Sequence, residues 1–119
     1  MVPDVRYRLW FEIVSVLAVF AAGFHLAAGL FPDLDIGGSR WRHGLFVIID
    51  LALSHFVRRR PVWFLPVFAI LALQQLYSHG NSVISSWSRS HEPTWLSLGV
   101  CIVILLTLGM LIHERLTKS

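Results

Sequence analysis

Five of the six histidines lie in or beside long apolar stretches of this sequence, where ionisable side chains are costly and are often functional, and three of the five fall in the same half of the predicted spans. His25 lies in the first stretch, His43 begins the second, and His79 follows the third. Imidazole is a ligand for Zn, Cu, Fe and Ni, and two histidines at similar depth can hold a haem axially. The sequence therefore predicts a transition-metal or haem site formed by His25, His43 and His79.

A carboxyl group and two amides accompany these histidines. Asp50 lies near the middle of the second stretch, on the same helical face as His43, because a step of seven residues returns to that face. Its carboxyl group is either protonated or held by a partner such as His25, a glutamine or a bound cation. Gln74 and Gln75 offer amide groups to a ligand or a water chain. These residues predict a proton or cation site, and the competing interpretation is a hydrogen bond that only fixes helix packing.

The connections between the apolar stretches hold further polar groups. The possible ligands among them are Asp33, Asp35, His91 and Glu92. The serine-rich run from His79 to Pro93 is typical of a solvated linker, and no nucleophile-elbow sequence surrounds its serines. The sequence therefore favours a protein without catalytic activity, and a membrane oxidoreductase that uses a quinone or haem stays open as the alternative.

The elements that must position these groups follow from composition. The chain is 55% hydrophobic and 14% charged, with a mean hydropathy of +0.66, whereas soluble domains are about 25% charged. This composition indicates a membrane protein and excludes a disordered chain. A helix needs roughly 20 apolar residues to cross a bilayer. Four segments qualify, at about 8–30, 41–57, 61–78 and 94–113. We predict one all-α domain over residues 1–119, an antiparallel up-down bundle of four membrane-spanning helices.

Basic residues predict the orientation of this bundle. With four spans, both termini and the central turn lie on one side, and that side holds seven of the ten Lys and Arg residues. They are Arg6, Arg8, Arg58, Arg59, Arg60, Arg115 and Lys118. The positive-inside rule therefore places both termini in the cytoplasm of a multi-pass inner-membrane protein. Glu12 lies one turn inside this boundary and is expected to turn toward Arg8 or water.

Three functions remain open at this point. The first is metal or haem binding in the outer half of the bundle, for electron transfer or metal handling. The second is proton-coupled transport by a homodimer. In length and number of spans the chain is similar to small multidrug exporters, which carry a carboxylate on the first helix. Glu12 is a carboxylate on the first predicted helix of this chain. The third is an accessory or scaffold subunit of a membrane complex, whose polar residues only direct packing.

The expected partners follow from the same composition. They are the lipid bilayer and either a second copy of the chain or a larger membrane complex. The basic residues lie at the ends of apolar runs, which is a pattern of membrane topology and does not indicate a nucleic-acid surface.

Overall fold

The computed structural model describes residues 5–31, 33 and 39–118, which form four helices and contain no strand. The helices are α1 (Val5–Leu30), α2 (Arg40–Arg59), α3 (Phe64–Ser90) and α4 (Trp95–Lys118). They group into two compact units, α1 with α2 and α3 with α4. The predicted all-α class and the number of helices are therefore confirmed.

The first unit is an antiparallel helical hairpin. His25, late in α1, contacts His43 at the start of α2. Ser15, in the first half of α1, contacts Ser54 near the end of α2. The face that α1 buries repeats at helical spacing and is mostly small. Its members are Phe11, Val14, Ser15, Ala18, Ala22 and Ala28. Small side chains let two helices approach closely, which brings the polar groups of both helices within contact distance.

Gly29 is a point of close approach in this hairpin. A Cβ atom at this position would lie 3.5 Å from the His43 Cβ and 3.9 Å from the Arg40 carbonyl oxygen. A methyl group therefore fits in van der Waals contact, and a larger side chain would push the start of α2 away. His43, the fourth residue of α2, is only 7% exposed because α1 covers it.

The second unit is also an antiparallel hairpin, and its contacts are of a different kind. The buried face of α3 repeats every four residues, as Phe64, Phe68 and Ala72. The first two rings pack against each other with centroids 5.7 Å apart. From α4, Thr107 and Leu111 are buried, and the Thr107 hydroxyl donates to the Val103 carbonyl of its own helix at 2.7 Å. Aromatic and aliphatic packing thus forms most of this interface.

The third helix differs from its predicted span at both ends. It begins at Phe64, so that Pro66 falls in the first turn, where a residue without an N–H loses no helical hydrogen bond. It then continues twelve residues past Ser78, through the serine-rich run predicted as a linker, and ends at Ser90 with His91 in the left-handed region at φ 55°. Side-chain contacts with the following segment stabilise this extension, because the Ser86 hydroxyl donates to the Glu92 carbonyl at 2.6 Å.

Large apolar side chains are exposed on all four helices. Phe20, Ile48, Ile70 and Leu105, one from each helix, are 72%, 67%, 68% and 55% exposed. The segments Tyr7–Leu30 and Trp95–Lys118 are long and apolar enough to cross a membrane, with mean hydropathies of 2.1 and 2.5. Large exposed apolar surfaces indicate a membrane or protein partner.

Candidate functional site in the first hairpin

Two of the predicted site histidines contact each other directly. The Nδ1 atoms of His25 and His43 are 3.0 Å apart, so that one of them donates a hydrogen bond to the other. The rings are tilted by 37°, with centroids 5.3 Å apart. The contact lies near the end of α1 and the start of α2, and it joins the two helices through a pair of titratable groups.

Asp50 approaches the opposite side of the His25 ring. Its Oδ2 atom lies 3.9 Å from His25 Nε2, and the two side chains are 14% and 25% exposed respectively. This oxygen is buried, and among the described residues none is within hydrogen-bond distance of it. A buried carboxyl oxygen without a hydrogen bond costs about 1–3 kcal/mol or more. Binding of a proton or a cation, or closer approach to His25, would relieve this cost.

Aromatic rings hold the His25 imidazole in this position. Phe46, one turn before Asp50 on α2, stacks on it with an interplanar angle of 21° and centroids 5.1 Å apart. Phe24 meets it edge-on at 5.6 Å. The guanidinium of Arg42 lies 5.8 Å from the centre of the Phe46 ring. Since His43, Phe46 and Asp50 follow one another at helical spacing, they lie on a single face of α2, and this face lies against the ring of His25.

His25 therefore lies between two partners, because its Nδ1 faces His43 and its Nε2 faces Asp50. The three side chains do not converge on one point, as ligands of a single ion do. Among the residues that the structure describes, no group of three His, Cys, Asp or Glu side chains is arranged to hold a metal ion. The metal or haem site stays a prediction.

The other predicted site residues of the apolar stretches lie in the second hairpin. His79 Nδ1 is 2.9 Å from the Ser97 hydroxyl, a contact between α3 and α4. The Gln75 side-chain amide donates from Nε2 to Oε1 of its neighbour Gln74 at 2.6 Å, and Gln74 is exposed. Ser97 is 6% exposed. The pair with His79 is a hydrogen bond between packed helices.

The connections hold the remaining candidates. Asp33 is exposed, and Asp35 lies outside the described residues. His91 ends α3, its backbone N–H bonded to the Trp87 carbonyl, and the Glu92 carbonyl accepts from Ser86. The observed roles of His91 and Glu92 are therefore in the turn between α3 and α4.

Two features of the first hairpin were not predicted from the sequence. Phe46 was not singled out, although its position between His43 and Asp50 on one face is a usable signal. Glu12 was expected to turn toward Arg8 or water. In the structure its Oε2 lies 3.2 Å from Nε of Arg58. Antiparallel pairing of α1 and α2 explains this contact, since it sets the start of α1 beside the end of α2.

Comparison with known proteins gives no family or function for this chain. No family model, no curated protein and no solved structure matches it.

Proposed function

We propose that this chain is an integral membrane protein whose four helices each cross the bilayer, with both termini in the cytoplasm. The apolar surface on every helix supports this proposal, because lipid is the solvent in which such a surface is stable. Fusion of a protease-sensitive epitope tag to either terminus tests it: both tags should resist protease added to spheroplasts, in which the outer face of the inner membrane is accessible. Digestion of either tag from outside would contradict the orientation.

We propose further that the hairpin of α1 and α2 transfers protons across the membrane. The observation that carries this proposal is the position of His25 between two titratable partners, one at each ring nitrogen. A neutral imidazole has one N–H and one bare nitrogen, so it can accept a proton on one side and release another on the opposite side.

The transfer consists of two proton movements. A protonated His43 gives its Nδ1 proton to Nδ1 of His25 across the 3.0 Å contact and becomes neutral. His25 then releases its Nε2 proton to the Asp50 carboxylate, which becomes a neutral acid, and His25 is left as the other tautomer. The 3.9 Å separation closes to hydrogen-bond length with a side-chain shift of about 1 Å. Seven residues of helix separate His43 from Asp50, so the proton advances by about 10 Å.

Proton flux into liposomes tests this function. The purified full chain is reconstituted with a pH-sensitive dye inside the vesicles, and a potassium diffusion potential drives protons inward. We expect acidification with the wild type, loss to the protein-free rate with Asp50→Asn, and partial recovery with Asp50→Glu, which restores a carboxyl group. Glu92→Gln is the matched control, because this carboxyl group lies in a connection.

The result that would overturn the proposal is a wild-type rate equal to that of protein-free vesicles, or an undiminished rate in Asp50→Asn. Equilibrium dialysis against Zn²⁺ and a haem absorbance spectrum test the competing hypothesis, which is a metal or haem site. A stoichiometric metal or haem that is lost in His25→Ala would establish the predicted ligand site in place of proton transfer.

A further inference from the structure

Polar contacts in the first hairpin continue beyond Asp50 toward the end where α2 finishes. The Ser15 hydroxyl donates to the backbone oxygen of Ser54 at 2.7 Å, and its Oγ lies 2.9 Å from the Ser54 Oγ. Ser15 is only 1% exposed, among the most buried side chains of the chain. Two hydroxyl groups in contact can each accept and donate a proton. If the His25–Asp50 contact is counted as the first polar level between α1 and α2, the Ser15–Ser54 pair is the second.

A third polar level lies at the end of the hairpin. Glu12 and Arg58 form an ion pair at 3.2 Å, and their side chains are 46% and 50% exposed, so both reach water. Arg60 stacks over the Phe11 ring at 4.3 Å from its centre, and Phe11 is 1% exposed. The neighbouring packing is therefore tight, whereas the carboxylate of Glu12 is open to solvent.

These levels follow one face of α2 at regular spacing. Asp50, Ser54 and Arg58 are four residues apart, and each step is about 6 Å of helix rise, the length of two hydrogen bonds to one bridging water. On α1, Ala18 and Ala22 lie in sequence between Ser15 and His25 and are buried at 5% and 4% exposure, so the two helices stay close along this interval.

We propose that protons which reach Asp50 leave along this line, through the Ser15–Ser54 hydroxyl pair to Glu12 as the terminal acceptor. This inference rests on the proposed proton transfer. Asp50 gives up its proton and becomes a carboxylate again. The Ser54 and Ser15 hydroxyls each receive one proton and pass on another, by way of single water molecules between levels, and stay neutral. Glu12 becomes a neutral acid and then releases the proton to water.

Arg58 has a positioning role in this route. Its guanidinium Nε lies 3.2 Å from Oε2 of Glu12 and holds that side chain against the hairpin. Both groups lie at the end of the hairpin that the basic residues assign to the cytoplasm. The route therefore runs from His43 at one end of α2 to Glu12 beside its other end.

The test uses the full chain in the same liposome assay. We expect the double variant Ser15→Ala with Ser54→Ala to lower proton flux by about tenfold or more, because the methyl side chains keep the small size and remove both hydroxyls. The variant with Thr at both positions retains the hydroxyls and should restore most of the flux. Glu12→Gln should lower flux as well, and Ser97→Ala, a buried serine of the other hairpin, should leave it unchanged.

An infrared readout identifies the terminal acceptor. The carboxylic acid band of Glu12 should appear in difference spectra when an acid pulse drives proton flux, and it should be absent in Glu12→Gln. It should also be absent in the double alanine variant, since the proton reaches Glu12 through the two hydroxyls. The same band in that variant would show that Glu12 takes its proton directly from water, and would overturn its place as terminal acceptor.

Each outcome decides between the two proposals. Flux in the wild type that persists in the double alanine variant overturns the route and leaves the transfer through His25 standing. Loss of flux in both the alanine and the threonine variants, with helix content unchanged by circular dichroism, assigns the serines to packing and also overturns the route. A wild type without flux overturns both proposals.

Discussion

The two hairpins of this chain have the same construction and different interfaces. Between α1 and α2, titratable and hydroxyl groups meet at successive levels, with His25 and Asp50 at one of them. Between α3 and α4, packed rings such as Phe64 and Phe68 are accompanied by one histidine–serine hydrogen bond. Packing and interhelical hydrogen bonds can both pair helices in lipid. The titratable groups that face each other between α1 and α2 are the reason why the proposed proton transfer is placed in the first hairpin.

The largest expected difference concerns one interface histidine from each hairpin, His25 and His79. His25→Ala should reduce proton flux to the protein-free rate, because it removes the group between His43 and Asp50. His79→Ala should leave flux unchanged, since its partner Ser97 is not a titratable group in the physiological range. The liposome assay measures both variants side by side. Equal losses in the two variants would show that the comparison between hairpins is wrong.

A smaller effect is expected from separating the helices of the first hairpin. Gly29→Leu should lower flux several-fold. A Cβ added at Gly29 would already lie 3.5 Å from the Cβ of His43, so the rest of a leucine side chain has to displace His43. Gly29→Ala should be tolerated. Gly99→Leu is the matched control, since a Cβ at Gly99 has no heavy atom of the described residues within 4 Å. If Gly99→Leu and Gly29→Leu reduce flux equally, close approach at His43 has no special role.

The smallest expected effect concerns the hydrogen bond of the second hairpin. Ser97→Ala removes the bond to His79 and should cost about 0.6 kcal/mol of unfolding free energy, the average for side-chain hydrogen bonds between membrane helices. Proton flux should not change. Unfolding of the reconstituted protein by denaturant, with the wild type in parallel, gives the difference. A loss of several kcal/mol would show that this hairpin depends on polar contacts.

The number of helices could be predicted because hydropathy carries that signal directly. Four helices were expected and four are present. The helical extension to Ser90 was not, because serine-rich composition resembles a linker, and its stabilising contacts, such as that from Ser86 to the Glu92 carbonyl, are made to residues beyond the helix.

The site was predicted in part for a similar reason. Helical periodicity places His43 and Asp50 on one face, and the small residues of α1 place His25 at an interface. The sequence grouped His79 with these histidines from depth alone, whereas pairing within each hairpin sets His79 against Ser97. The contact of Glu12 with Arg58 depends on the register between α1 and α2, which local pattern does not specify.

The most direct test of proton transfer through His25 is nitrogen-15 NMR of the full chain in bilayers with labelled histidine. The account predicts a shared proton between His25 Nδ1 and His43 Nδ1, and a His25 ring that exchanges between its two tautomers. His79, bonded to Ser97, serves as the internal reference with one tautomer. A His25 ring fixed in a single tautomer under conditions of proton flux would contradict the account.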